Sequence, residues 1–217
     1  MTVASDSRVA DRVHHELREQ IIAGDFPAGA RLSVPALAER LGVSRSPVRE
    51  AIVRLVHERL AREEPRRGAV VADVSHKALI AIYEVREVLE GLATRLAVEN
   101  AGQRLIRTLV DVLREHEHAV SAVDLATASE ADMTFHRLIR EAADNAEVVR
   151  MLDDVQTQVR LAMRTTQVTG GPKLAVADHR AILTAMEAGD PAAAENAARA
   201  HIARLRTVLA EQAEGPR

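Results

Sequence analysis

The sequence predicts a mainly α protein, with an N-terminal winged helix-turn-helix and a C-terminal all-α antiparallel helical bundle. Three observations predict it. Apolar residues recur at helical spacing along nearly the whole chain. Two short helical patterns meet at a glycine early in the sequence, and a basic turn with a short β-type run follows them. From residue 75 onward, only small or turn-forming residues interrupt the helical pattern.

The elements follow in order. Val9, Val13, Leu17 and Ile21 form one face of a first helix, with Asp6 or Ser7 as its cap and Gly24 as its stop. Phe26-Pro27-Ala28-Gly29 is a turn, and Arg31-Leu32 a short extended piece. Ser33 stands at the cap of a second helix, Val34 to Leu41, with Pro35 in the first turn where a missing N–H is harmless. Gly42 ends it. A third helix starts at Ser44 or Ser46 and runs to about Arg59, burying Val48, Ala51, Ile52 and Leu55. Pro65-Arg66-Arg67-Gly68 is a turn before the β-type run Ala69-Val70-Val71. Helices are then expected at 75–100, 103–119, 123–143, 146–167, 173–188 and 191–212, with breaks at Gly102, Ser121, Asn145, Gly170-Gly171-Pro172 and Gly189-Asp190-Pro191. Short links between amphipathic helices imply antiparallel packing. The domain boundary is expected near Asp73, giving domains 1–73 and 74–217.

Composition narrows the function. Cysteine is absent, which excludes disulfides, thiol catalysis and Cys-ligated zinc. No apolar run is long enough to span a bilayer, and the start shows no signal-peptide pattern, so a soluble, cytoplasmic protein with no membrane partner is expected. Phe26, Tyr83 and Phe135 are the only aromatic residues, too few for the stacking platforms of single-stranded nucleic-acid binders. The net charge is −3, but it divides unevenly. Residues 1–72 carry 12 basic and 10 acidic side chains, and residues 73–217 carry 17 and 22. The sign suits a DNA-contacting N-terminus and a different task for the rest.

Three motifs occur in order: Gly24 with Pro27-x-Gly29-x-x-Leu32, then Leu-Gly-Val-Ser-Arg-Ser-Pro-Val-Arg-Glu at 41–50, then Arg-Arg-Gly at 66–68. In these the chain resembles the GntR family of bacterial transcription regulators. An α-helix fits the major groove of B-DNA, and its first residues meet base edges. Arg45, Ser46 and Arg49 occupy those first turns, with Ser46 and Arg49 well away from the buried face. Arg67 and Gly68 bring the wing tip to backbone or minor groove. The resemblance implies DNA contacts at Arg45, Arg49 and Gly68. One departure stands out: relatives often carry an acidic residue and an arginine early in the second helix, where this chain has Val34 and Pro35.

Polar residues on apolar stripes mark the bundle. Asp132 and His136 share a helix face, and His136 aligns with Ile139 and Ala143. His179 aligns with Ile182, Leu183 and Met186, and His201 with Leu205 and Val208. Each histidine by itself reads equally as a satisfied core residue. A single ion would satisfy all four groups, and nitrogen and oxygen donors suit Zn²⁺, Ni²⁺, Mn²⁺ or Fe²⁺. Residues 75–212 resemble the helical FCD effector domain of FadR-type GntR regulators. Many such domains bind a divalent metal through one Asp and three His, here Asp132, His136, His179 and His201. The resemblance further implies that Arg86 faces an effector carboxylate and that Asn145 lines the effector cavity. Their alternatives are an ion pair of Arg86 with Glu90 and a helix cap for Asn145. His116 also lies on an apolar stripe, but no acidic partner stands at ligand spacing and it has no family counterpart. His14, His15, His57, His76 and His118 read as surface residues.

The expected function is a homodimeric regulator, most simply a repressor, whose affinity for double-stranded operator DNA is set by a small organic acid at the metal site. Alternatives are a regulator for which the ion is itself the signal, a wholly structural metal, and a metal-dependent hydrolase. The last lacks a general base beside the ligands, so no enzyme is expected.

Overall fold

The computed structural model describes residues 3–163 and 171–214. Within them the elements run α1 (Val3–Ala23), α2 (Val34–Leu41), α3 (Arg45–His57), β1 (Ala61–Glu64), β2 (Gly68–Val71), α4 (His76–Asn100), α5 (Gln103–Ser121), α6 (Leu125–Ala142), α7 (Ala146–Met163), α8 (Gly171–Glu187) and α9 (Pro191–Glu214). They form two compact units. One holds the residues up to Ser75 and the segment starting at Gln156; the other holds His76–Val155 and the last two helices.

In the first unit, α1 packs on α3 and α2 on α3. Val13, Leu17 and Ile21 of α1 meet Val48, Ala51, Ile52 and Leu55 of α3, and Leu37, Leu60 and Val71 close the same core. Leu161, far along the chain, belongs to this core, and Arg18 donates to Thr157 Oγ1 at 2.7 Å. The wing is an antiparallel pair, Ala61 opposite Val71 through Glu64 opposite Gly68. The extended piece predicted at Arg31-Leu32 joins it through a bridge from Arg31 to Val70 and a bond from the Leu32 N–H to the Ala69 carbonyl. Gly68 at the wing tip has φ +77°, a left-handed backbone that a β-carbon disfavours.

Some boundaries differ from expectation. Helix α1 starts at Val3, so Asp6 and Ser7 lie inside it rather than at its cap. Ser33 and Ser44 occupy the cap positions of α2 and α3, but neither side chain makes a cap bond. Pro35 does fall in the first turn of α2, and Gly42 ends that helix with φ +63°. Asp124 supplies the cap of α6 by accepting from the Thr127 N–H at 3.1 Å, so α6 begins two residues later than read from the sequence. Residues 164–167, expected to end the helix now seen as α7, and Gly170 of the following break lie outside the described residues.

In the second unit, α4 packs along α9, α5 against α6 and α8, α8 against α9, and α4 against α6. One core gathers Leu109 and Leu113 of α5, Phe135 and Ile139 of α6, Ile182, Leu183 and Met186 of α8, and Ala194 and Ala198 of α9. A second joins Ala93 to Ala143, Val148 and Leu152. These packings turn one face each of α4, α5, α6, α8 and α9 toward a shared interior. That interior is where the polar residues converge. No helix among the described residues is long and apolar enough to cross a membrane.

Candidate nucleic-acid interface and candidate metal centre

The start of α3 is built to present charge. Pro47, Val48, Ala51, Ile52 and Leu55 are buried and fix the rod in its core, which leaves the opposite face in water. Arg45, Ser46 and Arg49 are all exposed there. Neither arginine makes an ion pair among the described residues, so both guanidiniums are open to an anionic partner. The first N–H groups of α3 lack a side-chain cap and add a favourable partial charge. On the wing, Arg67 is exposed and donates to Glu64 Oε2 at 2.7 Å. Arg62 pairs with the same carboxylate, which hydrogen bonds from both arginines hold below its usual range. Exposed pairs of this kind contribute little, about 0–1 kcal/mol, so Arg67 can exchange Glu64 for a phosphate. His14, read as a surface residue, is instead buried, with Nε2 2.6 Å from Glu58. Burial lowers its pKa against the pull of Glu58.

The helical unit does the reverse and buries its charge. His136 on α6, His179 on α8 and His201 on α9 are each at most 7% exposed. Their ligand atoms lie within 4.8 Å of one another. The Nε2 atoms of His136 and His179 face each other at 3.2 Å. The ring of His179 lies flat on Phe135, 4.3 Å between centroids, which fixes its plane. Burial, reinforced by neighbouring histidines and arginines, holds both His136 and His179 well below the ordinary imidazole pKa. Both are therefore neutral at pH 7, the form that offers a lone pair.

One of these histidines is oriented by a carboxylate, and a second has one nearby. His201 Nδ1 lies 2.9 Å from Asp178 Oδ2, and Arg204 Nε donates to the same oxygen at 2.7 Å. Burial pushes Asp178 up, but the hydrogen bonds from His201 and Arg204 bring it below its usual range. With Nδ1 occupied, Nε2 is the free donor of His201. His136 Nδ1 lies 3.8 Å from Glu90 Oε2, too far for a hydrogen bond. Glu90 is itself buried between Arg86, which donates to Oε1 at 3.3 Å, and Arg140, whose Nε is 3.6 Å from Oε2. Arg86 also lies 4.9 Å over the ring of Tyr83. Among the described residues, the Nε atoms of Arg86 and Arg140 and Nδ1 of His116 and His179 are buried without hydrogen-bond partners.

The structure thus brings His136, His179 and His201 together and links Arg86 to them through Glu90. Asp132 lies 3.6 Å from His179, through Oδ1 and Nε2, but its ligand atom groups with His116 and His179 rather than with the three-histidine set. Its side chain keeps 37% exposure, and loss of water nonetheless raises its pKa against the pull of His201, His116 and Arg86. Asn145 Oδ1 accepts from the Val148 N–H at 3.2 Å, capping α7, and lines an open groove with Glu141, Asp144, Arg150 and Asp153. Sequence reasoning missed Glu90 as a shared buried carboxylate and missed Arg140 altogether, and it placed His116 on an inward stripe without the acidic partner, Asp132, that the fold supplies. Arg140 stands one turn after His136, a legible signal. The partners of His116 lie on other helices, which no single-helix pattern shows.

A helix-turn-helix whose third helix carries exposed guanidiniums, a β-wing, and a helical unit with a buried polar centre are the architecture of a two-domain DNA-binding regulator. Comparison with known proteins agrees. Residues 9–71 match the model of the bacterial regulatory proteins of the gntR family, and residues 81–204 match the FCD domain. The "Probable D-xylose utilization operon transcriptional repressor" of Paenarthrobacter nicotinovorans is 32% identical, over 90% of this chain and 86% of its own length. The gluconate operon transcriptional repressor of Bacillus subtilis is 35% identical over 63% of this chain and 56% of its own. The solved structure of Escherichia coli McbR/YncC superposes with a TM-score of 0.76 at 25% identity, covering 94% of this chain and 98% of that one. A GntR regulator from Rhodococcus sp. RHA1 gives 0.75 at 26% identity, covering 97% and 100%. The chain belongs to the gntR family of bacterial regulatory proteins and carries an FCD domain. It is a DNA-binding transcription regulator, not an enzyme.

Proposed function

We propose that the chain is a repressor whose hold on operator DNA is set by a small organic acid at a divalent-metal centre in the helical unit. The unit built on the residues up to Ser75 reads DNA, and the helical unit that begins at His76 senses the acid. Arg45, Ser46 and Arg49 meet base edges in the major groove, and Arg67 and Gly68 place the wing on the backbone. Two copies pair so that two reading helices reach successive turns of an inverted repeat, about 34 Å apart. The names of the D-xylose and gluconate relatives favour repression.

One observation carries the sensing half: two neutral, buried Nε2 atoms 3.2 Å apart, joined through Glu90 to a buried guanidinium. Metal–nitrogen bonds of about 2.0–2.1 Å put neighbouring ligands about 3.0–3.4 Å apart. The carboxylate-oriented ring of His201, hydrogen-bonded through Nδ1 to Asp178, fits a metal centre as well. Asp132, His136, His179 and His201 would hold the ion. Zn²⁺, Ni²⁺, Mn²⁺ and Fe²⁺ suit these donors, and such an ion supplies a Lewis-acid docking point for a carboxylate oxygen. Arg86 takes the acid's carboxylate and exchanges Glu90 for it, while Arg140 keeps Glu90 paired. The acid acts through a difference in its affinity for the DNA-binding and released states.

The test is operator affinity measured for metal-free and metal-loaded protein, with and without a panel of carboxylic acids. Weakened binding only with metal and acid together is expected. A response to metal alone would make the ion the signal. His136→Ala should lose bound metal and the acid response while still binding operator; an unchanged metal content would remove the ligand set.

A further inference from the structure

We propose that His116 is a fifth donor to this metal centre, which goes beyond the one aspartate and three histidines that the proposed function uses and rests on that metal reading. His116 projects from α5, a helix that supplies none of those four ligands. It is 2% exposed, between the core residues Leu109 and Leu113 on one side and Ala119 on the other. A buried imidazole is costly unless its nitrogens are satisfied. Its Nδ1 has no hydrogen-bond partner among the described residues.

The placement of Asp132 makes the case. Ligand atoms of His116, Asp132 and His179 lie within 4.8 Å of one another, and so do those of His136, His179 and His201. The two sets share His179, whose ring centroid is 5.4 Å from His116 and 5.0 Å from His201. Asp132, the one anionic donor, stands on the His116 side. An ion close enough to use Asp132 together with His179 therefore lies next to His116. Four neutral nitrogens and one carboxylate oxygen suit a borderline divalent cation that accepts five or six ligands, Ni²⁺, Fe²⁺ or Mn²⁺, rather than four-coordinate Zn²⁺. A six-coordinate ion then keeps one place for one oxygen of the acid.

Co²⁺ is the probe, added to the metal-free full-length chain. One Co²⁺ per chain is expected, with the weak visible absorption of a five- or six-coordinate ion. Proton NMR of the same sample should show four solvent-exchangeable imidazole N–H signals displaced by the paramagnetic ion, one for each of His116, His136, His179 and His201. This count uses the unaltered chain, so it does not depend on any variant folding. His116→Gln should remove one signal and weaken Co²⁺ binding about tenfold or more. Three displaced signals in the unaltered chain, or an unchanged affinity and spectrum in His116→Gln, would overturn the role of His116 while leaving the metal centre standing. No uptake of Co²⁺ by the unaltered chain would instead remove the metal reading itself.

Discussion

The two units use arginine in opposite ways. Arg45 and Arg49 stand in water with no ion-pair partner among the described residues, on a helix whose other face is locked in a core. Arg86 and Arg140 are each 5% exposed and share one buried carboxylate. An exposed guanidinium carries little penalty while it waits for a phosphate or a base. A buried one must be compensated at every moment, so it comes with a built-in partner, which the proposed acid would have to replace. The first arrangement is suited to a large external polyanion, and the second to a small anion that enters the protein.

The comparison breaks most directly at Glu90. Removing one partner of a buried ion pair is costly, about 3–5 kcal/mol, because the charge left behind has no compensation. Glu90→Ala leaves Arg86 in that position, while Arg140 keeps Asp153, 3.9 Å from its Nη1. Tyr83 is the only tyrosine and the chain has no tryptophan, so tyrosine fluorescence reports on the helical unit. Urea unfolding followed by this signal should show the loss. A change below 1 kcal/mol would mean that Arg86 does not depend on Glu90.

Arg49→Ala should have no such effect on folding. It should weaken operator binding by roughly 1–3 kcal/mol and flatten base preference, as read by fluorescence anisotropy on a set of single-base operator variants. An unchanged preference would exclude this face of α3 from the groove.

Acid should separate the units next. His136 and His179 have pKa values well below 6.5 in the folded chain and return to about 6.5 when unfolded. Above pH 6.5 both states are neutral and the folded state keeps its full stability. As pH falls below 6.5 the unfolded chain takes up protons that the folded chain refuses, and stability drops by up to about 1.4 kcal/mol per pH unit for each histidine. In the metal-free chain, urea midpoints read by Tyr83 should fall between pH 7 and pH 5. A flat or rising midpoint would show these rings protonated in the folded state. The first unit has His14 in the same condition, with Glu58 opposing the shift, so its own loss should be smaller.

The smallest expected effect is at the wing. Gly68→Ala places a β-carbon on a residue at φ +77°, at a cost of about 1–2 kcal/mol, with no atom within 4 Å of the new carbon. Circular dichroism should show a small drop in melting temperature, and operator binding should weaken without a change in base preference. An altered preference would give the wing a reading role.

The two units were also unequally legible in the sequence. In the first, function rides on local signals: a cap, a glycine stop, arginines on the side opposite Val48 and Leu55. Helical spacing alone exposes Arg49. In the second, the inward stripes through His136, His179 and His201 were legible, because each histidine repeats with apolar neighbours on its own helix. What those stripes meet was not. Glu90 reads locally as a partner of Arg86, yet its contacts with Arg140 and His136 cross from α4 to α6. The grouping of Asp132 with His116 joins α5, α6 and α8, and depends on how the helices rotate against one another. The early start of α1 at Val3 and the unused caps at Ser33 and Ser44 have a simpler cause: a residue suited to a cap position need not make the cap bond.

The most direct measurement is equilibrium binding of the purified chain to the duplex flanking its own coding sequence and to a scrambled duplex of equal length, across a range of salt. The account predicts binding to the flanking duplex at least about a thousandfold tighter, falling steeply as salt rises because phosphate contacts release counterions. Equal affinity for both duplexes, or an affinity indifferent to salt, would contradict it.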